Sequence, residues 1–90
     1  MRYTVTLGAY GNIDHGENPY KALQGVFQGT KQAETIEELQ QIVRTYIDDN
    51  DLGSGNWSGG DVFEDGKKIG RISYNGRWWP LEELERKGWL

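Results

Sequence analysis

An α+β domain, with one main helix packed on one face of an antiparallel sheet of four to five strands and a short C-terminal helix, is predicted by three observations. Residues Arg2 to Leu7 alternate polar and apolar side chains. Apolar residues recur at three- and four-residue spacing from Ile36 to Ile47. The dipeptides Asp65-Gly66 and Asn75-Gly76 punctuate a run carrying Trp57, Phe63, Ile69, Ile72, Tyr74, Trp78 and Trp79. The first pattern is the period of a half-buried strand, the second that of an amphipathic helix, and the third the turn chemistry of a three-stranded meander.

In the first strand Tyr3, Val5 and Leu7 share one face and Arg2, Thr4 and Thr6 the other, because successive side chains point to opposite sides. Gly8 to Pro19 has loop composition, with three glycines, Asn12, Asp14, Asn18 and a proline. Leu23 to Lys31, interrupted by Gly25 and Gly29, is read as a second strand with a bend or bulge at a glycine. Ile36, Leu39, Ile42, Val43, Tyr46 and Ile47 then form one face of a helix that starts at Ile36 and fades near Asp48. Thr35 and Glu38 stand at capping-box spacing in front of it, hydroxyl and carboxylate each answering a backbone N–H. A glycine-rich connection, Gly53 to Gly60, leads to the meander, whose two turns are expected to be two-residue hairpins with positive φ. Pro80 closes the last strand. Glu82, Glu83 and Glu85 followed by Arg86, Lys87 and Gly88 give the charge order and glycine stop of a short helix. Leu81, Leu84, Trp89 and Leu90 would fold that helix back onto the body.

Ninety residues make one domain, since a chain this short buries only about 60–70% of its unfolded surface and cannot support two cores. The absence of cysteine removes disulfides and thiolate metal sites, leaving packing as the source of stability. Neither the basic start and apolar run of a signal peptide nor an apolar window of membrane-spanning length occurs, so a cytoplasmic protein is expected.

The net charge is −4, but its distribution is uneven. Nine acids between Glu34 and Asp65 face Arg44 alone, whereas Lys67, Lys68, Arg71 and Arg77 follow without an acid among them. Kept on different faces, these segments make one acidic and one basic surface; paired across the hairpin, they cancel.

Catalytic and cofactor signatures fail on inspection. Gly55 and Gly60 match the glycine spacing of a phosphate loop, but Asp61 and Val62 stand where lysine and a hydroxyl residue are required. The dinucleotide pattern fails because Ser58 replaces the third glycine and the segment follows a helix. Asp48, Asp49 and Asp51 suggest calcium, yet an EF-hand register starting at Asp49 puts Ser54 at the glycine position and Gly60 at the glutamate position. The single histidine, His15, lies beside Asp14 in the first loop without a nucleophile that the sequence ties to it. No cofactor and no metal are expected. Trp78 and Trp79, being adjacent in a strand, point to opposite faces, so one fills the core while the other needs either cover or a partner. Arg71 and Arg77 nearby would make an exposed tryptophan a hot spot.

Two segments, Asp51-Leu52-Gly53-Ser54-Gly55-Asn56-Trp57-Ser58-Gly59-Gly60-Asp61-Val62 and Arg71-Ile72-Ser73-Tyr74-Asn75-Gly76-Arg77-Trp78, together with Asp14-His15-Gly16, resemble uncharacterised short proteins of bacteria, plasmids and phages. The resemblance covers most of the chain and carries over no catalytic residue. It implies a mobile-element setting, in which compact, acidic, cysteine-free proteins serve as stoichiometric inhibitors of host defence, anti-CRISPR and anti-restriction proteins among them.

The expectation is therefore a non-enzymatic protein-binding module of anti-defence type. Its acidic helix and loop, through Glu37, Glu38, Asp48, Asp49 and Asp51, would occupy cationic sites that a host nucleoprotein defence complex uses for phosphates. Direct contact with nucleic acid or membrane is not expected. The alternative is a small-ligand-binding domain with a cleft lined by Trp57, one of Trp78 and Trp79, and the glycine loop. A third reading, hydrolysis around His15 and Asp14, requires a nucleophile or metal within hydrogen-bond reach.

Overall fold

The computed structural model describes residues 2–11, 21, 26–53 and 56–88. Its elements are β1 (Tyr3–Leu7), β2 (Gly29–Ala33), α1 (Ile36–Asp49), β3 (Asp61–Glu64), β4 (Lys67–Ile72), β5 (Trp78–Pro80) and α2 (Leu81–Lys87). The strands form one five-stranded antiparallel sheet in the order β2-β1-β3-β4-β5. This is the α+β architecture expected, with the meander on one side of β1 and the second strand on the other. No helix among the described residues is long and apolar enough to cross a membrane.

Register explains which residues face α1. Val5 pairs with Lys31 on one side and Val62 on the other, and Val62 pairs with Gly70, so these side chains share a face of the sheet. Leu39, Val43, Tyr46 and Ile47 of α1 are buried in one cluster with Val5, Leu7, Val62 and Ile72, and Ile42 packs against it. The helical periodicity thus identified its core-facing side correctly. At the N-terminus of α1 the Thr35 hydroxyl accepts the Glu38 N–H at 3.1 Å and donates to the Glu38 carboxylate at 3.3 Å. The carboxylate is therefore held by the hydroxyl, where the capping box predicts a backbone N–H.

Three expectations need correction. The second strand, expected over Leu23 to Lys31, is observed over Gly29–Ala33, and residues 23–25 of the expected span lie outside the described residues. It is an edge strand in which only Ala33 is buried, so no apolar alternation marks it. The Asn75-Gly76 turn is not a two-residue hairpin. Ile72 pairs with Trp78 across a five-residue loop in which Gly76 alone takes a positive φ, 83°. There the Asn75 side chain accepts the Arg77 N–H at 3.2 Å and the Ser73 hydroxyl, so a side chain shapes the turn. Asp65-Gly66, by contrast, is the expected hairpin, both residues having positive φ between paired Glu64 and Lys67. Trp57 lies outside the meander, in an isolated bridge to Ala9.

The end of the glycine-rich connection pairs with the chain at the end of β1 through its backbone. Trp57 to Gly60 continues beside the end of β1, with Ser58 N–H donating to Gly8 O at 3.1 Å and Gly60 N–H to Thr6 O at 2.7 Å. A side chain at Gly59 would stand 2.5 Å from Thr6 O and 2.9 Å from Gly8 N, so only glycine permits this approach. Asn56, 6% exposed, ties the loops together. Its amide donates to Tyr10 O at 2.8 Å and its side-chain oxygen accepts the Gly53 N–H at 3.0 Å.

The opposite face of the sheet carries Asp61, Arg71 and Trp79, which pair in register. Here α2 contributes cover: Leu84 is buried and the Lys87 ammonium lies 5.6 Å from the Trp79 ring centroid. Gly88 ends α2 in the left-handed region, as its position predicts. Trp89 and Leu90, expected to join this packing, lie outside the described residues.

Candidate functional site

The five candidate acids divide between the two ends of α1. Glu37 and Glu38 occupy its first turn, Asp48 and Asp49 its last, and Asp51 follows; all five are exposed. At 1.5 Å per residue the two groups stand roughly 16 Å apart, beyond the ~8–10 Å screening length at ordinary ionic strength, and act as separate patches. Among the described residues none of the five is in an ion pair. The meander acids behave differently. Asp61 pairs with Lys68 at 3.3 Å and Glu64 with Arg2. Cancellation across the hairpin therefore operates on the sheet and leaves the helix acids uncompensated.

The C-terminal acids also oppose their local structure. The last turn of α1 contains no base, so Asp48 and Asp49 stand against the negative end of the helix dipole. The helix closes in a Schellman arrangement, Leu52 N–H donating to Ile47 O at 3.0 Å and Asp51 N–H to Asp48 O at 3.2 Å. Asp51 holds the left-handed position at φ 51°, where glycine is the favoured residue. Three successive local preferences are thus overridden in four residues.

The tryptophans are placed otherwise. Trp57 is 8% exposed, with its ring 5.8 Å from that of Tyr46 and its indole N–H donating to Ile72 O at 3.4 Å. Trp79 is 9% exposed, its indole N–H donating to the Ser73 hydroxyl at 3.3 Å and its ring carrying the Arg77 guanidinium at 3.9 Å. Trp78, half-buried, packs against the main core. The two adjacent indoles do face opposite sides of the sheet, Trp79 buried and Trp78 half-buried. Arg71 is half-buried beside Trp79, its Nε without a hydrogen-bond partner. Arg77 is exposed but committed to the Trp79 ring. The aromatic cleft of the alternative reading is therefore not formed by Trp57 or Trp79.

A concave surface does exist, elsewhere. Between α1 and the edge strand lies a mainly apolar groove of about 440 Å³. Leu7, Ile42 and Tyr46 form its floor, Phe27 and Lys31 one wall, and Thr45 and Asp49 the helix rim. It exists because β2 presents Gly29, Lys31 and Ala33 to the helix, and of these only Ala33 is buried apolar surface. Lys31 points its ammonium to within 5.0 Å of the Phe27 ring centroid, and Phe27 remains 48% exposed. Sequence reading missed this groove because its residues are scattered over four segments; the exposed phenylalanine ahead of a poorly apolar strand was the available sign.

Tyr46 joins groove and core. Its hydroxyl donates to Phe27 O, and burial pushes its pKa up. A raised folded-state value means the phenol ionises more easily in the unfolded chain. This contribution to stability is complete below the ordinary tyrosine pKa of about 10 and lost as pH rises from there through the folded-state value. Stability measured by urea unfolding should fall above pH ~10, and Tyr46→Phe should flatten that alkaline decline.

Among the described residues no group of three or more His, Cys, Asp or Glu side chains is arranged to hold a metal ion. His15 and Asp14 lie outside the described residues, as do Ser54 and Gly55 of the glycine loop. No protein-family model, curated protein or solved structure matches the chain.

Proposed function

We propose that the protein is a non-enzymatic protein-binding module whose acidic helix surface occupies a phosphate-binding, cationic groove of its partner, in the manner of an anti-defence inhibitor. The observation that carries this reading is the end of α1: Asp48, Asp49 and Asp51 are exposed, outside any described ion pair, and each sits against a local structural preference. Residues that break local rules without a compensating contact mark positions selected for something other than the fold. The covered state of Trp57 and Trp79 favours this surface over the aromatic strip.

The reading makes stability and binding move in opposite directions. Asp48→Lys with Asp49→Lys should raise stability by about 0.3–1 kcal/mol per site, since each substitution turns an opposed dipole interaction into a favourable one. The same variant should capture less of the basic, nucleic-acid-binding proteins that the wild type retains from a bacterial lysate. That capture should fall as salt rises and be competed by heparin. Undiminished capture by the more stable variant would refute the proposal. Glu38→Lys is the poorer probe, because the Glu38 carboxylate also holds the Thr35 cap.

A further inference from the structure

We propose that the open edge of β2 and the groove beside it bind an extended peptide segment of the partner, in which an apolar residue is flanked by lysine or arginine. This rests on the protein-binding reading and names the chemistry of the partner at that surface.

Two features of the fold coincide here. Among the described residues β2 is the last strand of the sheet, and no described strand pairs with the backbone N–H and C=O groups on its outer side. A peptide can add to it as a sixth strand, with main-chain hydrogen bonds supplying affinity and a pocket for alternate side chains supplying specificity. The pocket is in the right place: Lys31, in the middle of β2, and Tyr46, on the core side of α1, both line it. An incoming strand would direct every second side chain into the groove, over Ile42 and Tyr46.

Charge selects the occupant. Thr45 and Asp49, four residues apart, share the groove-side face of α1, which puts a carboxylate on the helix rim at one end of the groove. The cation on the other wall, Lys31, is directed to the Phe27 ring. The helix side thus asks for positive charge next to the apolar residue. A second copy of the chain fits poorly. A two-fold axis that joined two β2 edges in central register would oppose Lys31 to Lys31, and antiparallel α1 helices would bring Glu38 against Asp49.

The test is selection from a displayed library of random linear heptapeptides on the wild-type protein, followed by calorimetric titration of the most enriched synthetic peptide. Enriched sequences should carry an apolar residue with lysine or arginine beside it. Thr45→Arg, which fills the groove from an exposed position, and N-methylation of the peptide backbone should each weaken binding at least tenfold. No enrichment over a Thr45→Arg control, preference for acidic peptides, or indifference to N-methylation would overturn the proposal, as would sedimentation showing a dimer that Thr45→Arg dissolves. Glu37→Lys with Asp48→Lys lies off the groove and separates the two readings. Loss of lysate capture in that variant, with capture intact in Thr45→Arg, sinks the groove and spares the acidic surface. The reverse pattern sinks the acidic surface and spares the groove.

Discussion

Gly60→Ala should cost on the order of 4 kcal/mol or more, enough to remove the cooperative unfolding transition of a domain this size. Gly60 lies where three backbones meet. Its N–H donates to Thr6 O at 2.7 Å, and its carbonyl accepts the Ile72 N–H at 2.8 Å. Its φ of 103° is one that residues with a side chain rarely adopt, and an added Cβ would be driven into Ile72 O, with the Trp57 ring 3.2 Å away. Strain and overlap therefore act together, and neither obstacle is the movable end of a flexible side chain. Gly66→Ala provides the control. Gly66 has a similar positive φ of 84° but nothing within 4 Å of the added carbon, so that variant should lose only about 1–2 kcal/mol of left-handed strain. Urea unfolding of the two variants side by side decides the matter. Equal losses would mean that the close approach at Gly60 does not exist.

Leu39→Ala should lose about 2–5 kcal/mol, the cost of removing buried methyl groups and leaving a cavity. Leu39 is fully buried and belongs to the cluster that joins α1 to Val5, Val62 and Ile72. The loss within that range depends on how far the sheet can relax toward the helix. Gln41→Ala, on the exposed side of the same helix, should stay within about 0.5 kcal/mol. A loss at Leu39 no larger than that at Gln41 would mean that the helix presents a different face to the sheet.

The two variants also separate what was readable in the chain from what was not. Leu39 is predictable from periodicity alone, because three- and four-residue spacing places side chains on one face whatever the sheet beneath. For the same local reason the sequence specified β1, the Asp65-Gly66 hairpin, the Thr35 cap and the Gly88 stop of α2. Each depends on a few neighbouring residues. The second strand was misplaced because an edge strand buries little and has no periodicity to show. The Asn75-Gly76 turn was misread because the Asn75 side chain, reaching Ser73 and Arg77, competes with the two-residue hairpin its dipeptide suggests.

For the site, the sequence determined the existence of an acidic stretch and of surplus tryptophans, since both are matters of composition. Only the tertiary structure decided where they stand. It showed Trp57 and Trp79 buried, Asp61 and Glu64 drawn into pairs with Lys68 and Arg2, and the helix acids left outside such pairs. It alone formed the groove, because Leu7, Phe27, Lys31 and Ile42 have no pattern in common along the chain and meet only when β2 docks beside β1 under α1. Local propensity acts over a turn or a strand pair, whereas burial, charge pairing and concavity are properties of surfaces that residues distant in sequence make together.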